Sequence, residues 1–290
     1  MSPLRNFPNR MAQYNPEHFW EKSHSEVKSS NVKLGIGVQH VGGGESEAQA
    51  EALYIMRKVN MRRLLRKCRN IRKPRIFELG SGGGYWARFF RMMEPSLYVG
   101  SDLSSSAVSR LRAEFPQAKF VEMNPPALAW QEIAGHGPFD LCLAIDVLYH
   151  ITDDGLWSDA LMRLCQNTHE EGYVIIADYF YTQPCGMPTS THVNFRELQR
   201  YLDILHQNQF AVEYIQPVFY MLNRGNSGPW RDHNRLVSLA LRFLQSNYLG
   251  LRLLVAVDWV LTLFARPMDP KCKTRLLVAR KLSKAAETVG

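Results

Sequence analysis

The 290-residue sequence predicts an α/β fold with a doubly wound sheet. Three stretches carry that prediction. First, the apolar run Ile76–Leu79 ends in glycines at 80, 82, 83 and 84, and Tyr85–Met93 then takes helical spacing, which reads as strand, tight turn and helix. Second, a further strand, Leu97–Ser101, ends at Asp102, a carboxylate about 20 residues past the turn. Third, Phe139–Ile145 is a nearly unbroken apolar run, as expected of a strand covered on both faces.

Composition sets the bounds. The length suffices for one large α/β domain with additions. The cysteines at 68, 142, 165, 185 and 272 form no CxxC pair and no metal-ligand spacing, so no metal and a reducing, cytoplasmic setting are expected. The start, Met-Ser-Pro-Leu-Arg-Asn, lacks an apolar stretch of the signal-peptide kind. The net charge of +8 is concentrated in a basic run from Arg57 to Arg75. Such a stripe suits nucleic acid or an anionic membrane surface, and a solvated helix face is its plainer reading.

The glycine turn does more than connect. Glycine reaches positive φ and lets backbone approach a ligand, and the following helix offers unpaired N–H groups at the positive end of its dipole. The acid at Glu78, just ahead of the first glycine, would repel a pyrophosphate but suits a cation. The pattern Glu78-x-Gly80-x-Gly82-x-Gly84, with Asp102 downstream, resembles the glycine motif of class I S-adenosylmethionine-dependent methyltransferases. That resemblance implies a seven-stranded Rossmann-like sheet with strands six and seven as an antiparallel hairpin. It implies S-adenosylmethionine as cofactor, with Glu78 near its methionine end. Gly80, Ser81, Gly82 and Gly84 would pass beneath it, and Asp102, with Leu103 beside it, would hold the ribose.

The remaining elements follow in order. Residues 1–44 are irregular and include Gly42-Gly43-Gly44, the mark of a loop before a helix over Glu45 to about Arg69. In the resembled family such leading segments often fold over the cofactor, which makes Tyr14 and Trp20 candidate lid residues. Ser104–Ser106 offers caps for a helix over Ala107–Phe115, and Lys119–Met123 reads as the third strand. The resemblance puts Met123 and Asn124 near the adenine. The fourth strand leads into Asp146-Val-Leu-Tyr-His150, where an open α/β sheet binds ligands. The resemblance places Asp146 near the donor methyl or methionine part, and His150 as catalytic with Tyr14 as its partner. Trp157, Ala160, Leu161 and Leu164 form a helical core stripe. Gly172–Asp178 is the fifth strand, followed by a loop over Tyr179–Thr191 with Asp178, Tyr179 and His192 as polar candidates. Asn194–Glu197 has capping-box spacing for a helix to about Gln207. Phe210–Leu222 reads as strand six and Thr274–Arg280 as the last.

The intervening stretch is apolar and helical over Leu236–Phe264, but Arg252 and Asp258 interrupt it, so a helix packed on the core, roofing the substrate pocket or resting on a membrane surface is expected rather than a membrane span. The expected organisation is an N-terminal arm and basic helix (1–70), a cofactor-binding core (71–222), a helical insertion (223–270) and a final strand with tail (271–290). The leading functional expectation is methyl transfer to an oxygen or nitrogen of a small molecule, such as a natural-product, sugar or lipid intermediate, with peripheral membrane contact open. Two others stand beside it: an RNA methyltransferase using the Arg57–Arg75 stripe, and a cofactor-binding module without turnover.

Overall fold

The computed structural model describes residues 14–25, 47–69, 71–124, 126–181, 192–222, 243–267, 272 and 274–283. Seven strands form one sheet: β1 (Arg75–Leu79), β2 (Leu97–Asp102), β3 (Lys119–Glu122), β4 (Phe139–Ile145), β5 (Thr168–Tyr179), β6 (Phe210–Pro217) and β7 (Thr274–Lys281). Their order is β3-β2-β1-β4-β5-β7-β6, with β7 antiparallel to both of its neighbours. The order reverses between β1 and β4, which pair in parallel, so the crevice lies beyond their carboxyl ends.

Among the described residues the main helices are α1 (Pro16–Ser25), α2 (Glu47–Leu65), α3 (Tyr85–Phe90), α4 (Ser105–Glu114), α5 (Pro126–His136), α6 (Asp154–Gln166), α7 (Leu198–Gln207) and α8 (Tyr248–Leu263). The pleat sends successive side chains to opposite faces. On one face Ile76 and Tyr98 pack with Met56, Phe90, Leu111 and Leu254, from α2, α3, α4 and α8. On the other, Phe77 and Leu79 pack with Trp130, Trp157 and Tyr201, from α5, α6 and α7.

Several elements differ from the sequence expectation. Strand six stops at Pro217 because the N–H groups of Tyr220, Met221 and Leu222 donate to the Asp258 carboxylate of α8, at 2.8–3.1 Å, instead of to a neighbouring strand. Within the described part of the apolar stretch, residues 243–245 are helical, the helix breaks at 246–247, and it starts again at Tyr248, where Asn247 caps it by accepting the Gly250 N–H at 2.7 Å. The capping box at Asn194–Glu197 does not form: α7 starts at Leu198, Glu197 makes no side-chain cap, and the Asn194 amide donates to the Thr152 carbonyl. Helix α5 was not foreseen; its proline at the first position was the available signal. The Gly42–Gly44 loop, the 182–191 part of the expected substrate loop and the 223–242 part of the insertion lie outside the described residues. Among the described residues no helix is long and apolar enough to cross a membrane.

Candidate active site

The turn after β1 adopts the backbone its glycines permit. Gly80, Gly82 and Gly84 have φ of 74°, 52° and 79°. The Ser81 N–H donates to the Ser101 carbonyl at 2.8 Å, and the Gly84 N–H donates to the Ser81 carbonyl at 2.8 Å, which closes the turn. A side chain at Gly80 would stand 2.5 Å from Val147 Cγ2, so the turn after β1 rests directly on the turn after β4. Asp102, at the end of β2, accepts the Gly82 N–H at 2.7 Å on one oxygen and the Ser104 N–H at 3.0 Å on the other.

Above these loops lies a cavity of about 610 Å³, within the usual range for small-molecule sites. Gly80, Ser81, Gly82, Gly83, Asp102 and Leu103 line its floor, and Met123, Trp130, Ile145, Asp146, His150 and Leu156 also line it. Tyr14 and Trp20 also line it. Helix α1 is fastened by Glu21, which accepts the Ser104 hydroxyl at 2.7 Å and the Ser106 N–H at 3.2 Å, together with the Ser106 hydroxyl. These donors hold the Glu21 carboxyl down at about 2 despite the opposing effect of burial. They sit at the N-terminus of α4, where a carboxylate also meets the positive dipole end.

At the end of β4, Asp146 takes φ of 56°, an uncommon conformation for a residue with a side chain. Its Oδ2 lies 2.6 Å from Arg57 Nε, and both side chains are largely buried. Burial opposes the Arg57 charge, and Asp146 outweighs it, so the Arg57 pKa is raised. The other Asp146 oxygen is buried and makes no hydrogen bond within the chain. Four residues on, His150 Nδ1 lies 3.0 Å from the His192 carbonyl. A carbonyl only accepts, so the neutral ring carries its proton on Nδ1, and Nε2 is the basic nitrogen. The Trp20 ring meets the His150 ring edge-on at 4.7 Å, which joins the arm to the turn after β4.

Three candidates do not reach the cavity wall. Glu78 shares the pleat face of Ile76, so it turns under α3, where the Tyr98 hydroxyl donates to it; burial pushes its carboxyl up to about 7 against that hydrogen bond. Gly84 caps α3, and a side chain there would stand 2.5 Å from Leu111, so its role is packing against α4. Asn124 is exposed beyond β3. Asp178, a loop candidate, is buried behind the site with Tyr201 as its donor at 2.6 Å. Arg57 was missed as a site residue because it was grouped with the basic stripe. Its register was the signal: it stands four residues from both Leu53 and Met61, on the buried side of α2. Gly83, Tyr54, Tyr85 and Trp86 line the cavity as well.

A family model described as a methyltransferase domain matches residues 52–215. The chain belongs to that methyltransferase family. The match runs from α2 to β6 of the methyltransferase and leaves α1, α8 and β7 outside it. Among solved structures, magnesium protoporphyrin IX methyltransferase (ChlM) from Synechocystis PCC 6803 with bound SAM is similar with a TM-score of 0.52 at 12% identity, over 93% of this chain and 99% of that one. The N-methyltransferase NodS from Bradyrhizobium japonicum WM9 with S-adenosyl-L-homocysteine gives 0.51 at 11%, over 92% and 97%. The [4+2]-cyclase SpnF gives 0.50 at 13%, over 84% and 85%. Likeness at such identity speaks for the fold, and the three names show that chemistry must be argued from the site. A search among curated proteins found no significant match.

Proposed function

We propose that this methyltransferase moves a methyl group from S-adenosylmethionine to an oxygen or nitrogen of a neutral or cationic small molecule. One observation carries the acceptor class: the cavity is lined by Glu17, Asp102, Asp146, Asp153 and Asp159, and by no lysine or arginine. A phosphorylated acceptor would bring its charge there without a partner. The exposed cations of the basic stripe, Arg62, Arg66, Lys67, Arg69, Arg72 and Lys73, lie on α2 and in the segment after it and do not line the cavity, which weighs against RNA.

The residues present fit the cofactor. The turn brings Gly80, Ser81 and Gly82 backbone to the floor, Asp102 stands where ribose hydroxyls would find an acceptor, and the unsatisfied Asp146 oxygen suits an ammonium. When bound, S-adenosylmethionine supplies a methyl already activated by a sulfonium. The chain therefore has to bind, align and exclude water. Arg57 holds Asp146 in place, α1 covers the cleft with Tyr14 and Trp20, and the apolar walls keep it dry. His150 lines the acceptor side, and its Nε2 takes the proton that a hydroxyl or ammonium acceptor must lose.

The test combines binding and transfer. Calorimetry with S-adenosylmethionine should show about tenfold or greater loss of affinity in Asp102→Ala; equal affinity would remove the ribose role. Donor carrying a labelled methyl, incubated with host extract, should label neutral or cationic metabolites, whereas label in RNA would overturn the reading. With the acceptor isolated, His150→Ala should lower turnover by about a hundredfold or more while donor affinity holds; an active variant would leave His150 a structural residue.

A further inference from the structure

We propose that the outer face of α8, with the cations beside it, is a docking surface for an anionic membrane. Helix α8 is apolar on almost every side, and a helix of that kind is normally covered all round. Here only one side is covered. Leu251, Leu254, Asp258 and Thr262 face the body of the protein. Leu249, Leu253, Ala256, Val260 and Leu263 share the opposite face at successive helical turns, and Phe264 follows; Leu249 is 78% and Phe264 82% exposed. Most of the large hydrophobic side chains exposed among the described residues lie between Phe243 and Phe264. A patch of this kind marks an interaction site.

Charge selects the occupant. From Tyr248 to Arg266 the sequence holds one acid, Asp258, and it is fully buried on the inner side. The cations Arg252 and Arg266 are exposed at the helix and just past its end. Arg63 of α2 donates to Thr262 Oγ1 at 2.9 Å and lays its guanidinium over the Trp259 ring at 5.2 Å. That contact sets the cationic end of α2, with Arg62 and Arg66 exposed, beside the tryptophan flank of the apolar face. An apolar strip, a tryptophan at its margin and cations around it form the pattern of a helix lying in the headgroup region of an anionic leaflet. A protein partner of matching shape would need only the apolar strip, whereas the cations Arg252, Arg266, Arg62 and Arg66 around it complement phosphate headgroups.

Flotation of the full chain tests this with phosphatidylcholine vesicles and with vesicles containing about one-third phosphatidylglycerol. Binding to the anionic vesicles, weakened by added salt, is expected. The double variant Leu253→Glu/Val260→Glu should lower the bound fraction roughly tenfold, and Arg62→Glu/Arg66→Glu should lower binding to anionic vesicles only. All four positions are exposed, so unchanged circular dichroism and melting temperature should confirm folding. As a second measurement, quenching by brominated lipid should fall in Trp259→Phe. Absence of flotation at low salt overturns the proposal, as does binding that the Leu253→Glu/Val260→Glu variant leaves intact. A dimer seen by light scattering and dissolved by that variant would make the face a self-interface and overturn it equally. The proposal stands apart from the methyl-transfer reading, since donor binding is measured without vesicles.

Discussion

Helices α1 and α8 are both additions outside the part of the chain that matches the methyltransferase domain, and they are held by opposite means. Helix α1 buries one side chain, His24, and is fastened mainly by the Glu21 carboxylate on the first turn of α4 and by ring contacts at Trp20. Helix α8 sinks Leu251 and Leu254 into the core and fixes the 220–222 backbone through the buried Asp258. A polar latch near solvent contributes little to stability and opens readily; a buried carboxylate serving three N–H groups is part of the fold. On that difference α1 is the helix expected to open for ligands and α8 the one expected to stay in place.

The largest effect that would test this contrast is expected in Asp258→Ala. Three N–H groups would lose their acceptor, at a cost on the order of 3 kcal/mol, measurable as a lower urea midpoint. A near-neutral result would mean that α8 is as loosely held as α1. A smaller effect of a different kind is expected in Glu21→Ala. Its unfolding free energy should stay within about 0.5 kcal/mol of the parent, while donor affinity weakens several-fold because the cover no longer closes. A stability loss equal to that of Asp258→Ala would erase the distinction.

The smallest expected effect concerns pH. Burial raises Glu78 and Asp178 each to about 7, with the hydroxyls of Tyr98 and Tyr201 partly opposing the shift. A carboxyl whose folded pKa lies above its unfolded value binds its proton more tightly when folded. Stability should therefore be greatest below about pH 4 from these two groups and decline as pH rises towards about 7. Glu21 has the reverse sign: its contribution to the latch is present above about 4.5 and lost as pH falls towards about 2. Between pH 5 and 7.5 the melting temperature should fall, and Glu78→Gln should flatten that fall. An identical slope in the variant would remove Glu78 as a source.

The parts of the site legible in the sequence are those encoded locally. A strand, a glycine turn, a helix and an acid at the next strand end are neighbours in the chain, and the structure brings Gly80, Ser81, Gly82 and Asp102 to one floor. His150 was legible because the end of β4 must face the crevice. What escaped depends on contacts between distant segments. Glu21 reaches α4 across more than eighty residues, and no local pattern marks it. Arg57 reads as one more cation in a basic run until its partner, Asp146, comes into view. Glu78 lies off the cavity lining because the alternation of β1 sets it on the side of Ile76, a placement readable from the strand itself.

The contact of Gly80 with Val147 has a consequence for how this site can diversify. The two positions share one small volume, and glycine already takes the least of it. Any lineage that alters position 147 can make that residue smaller, but a larger one would press on the glycine turn. Change at this spot is one-directional, so new acceptors would be accommodated through the arm and the outer walls while the floor stays fixed.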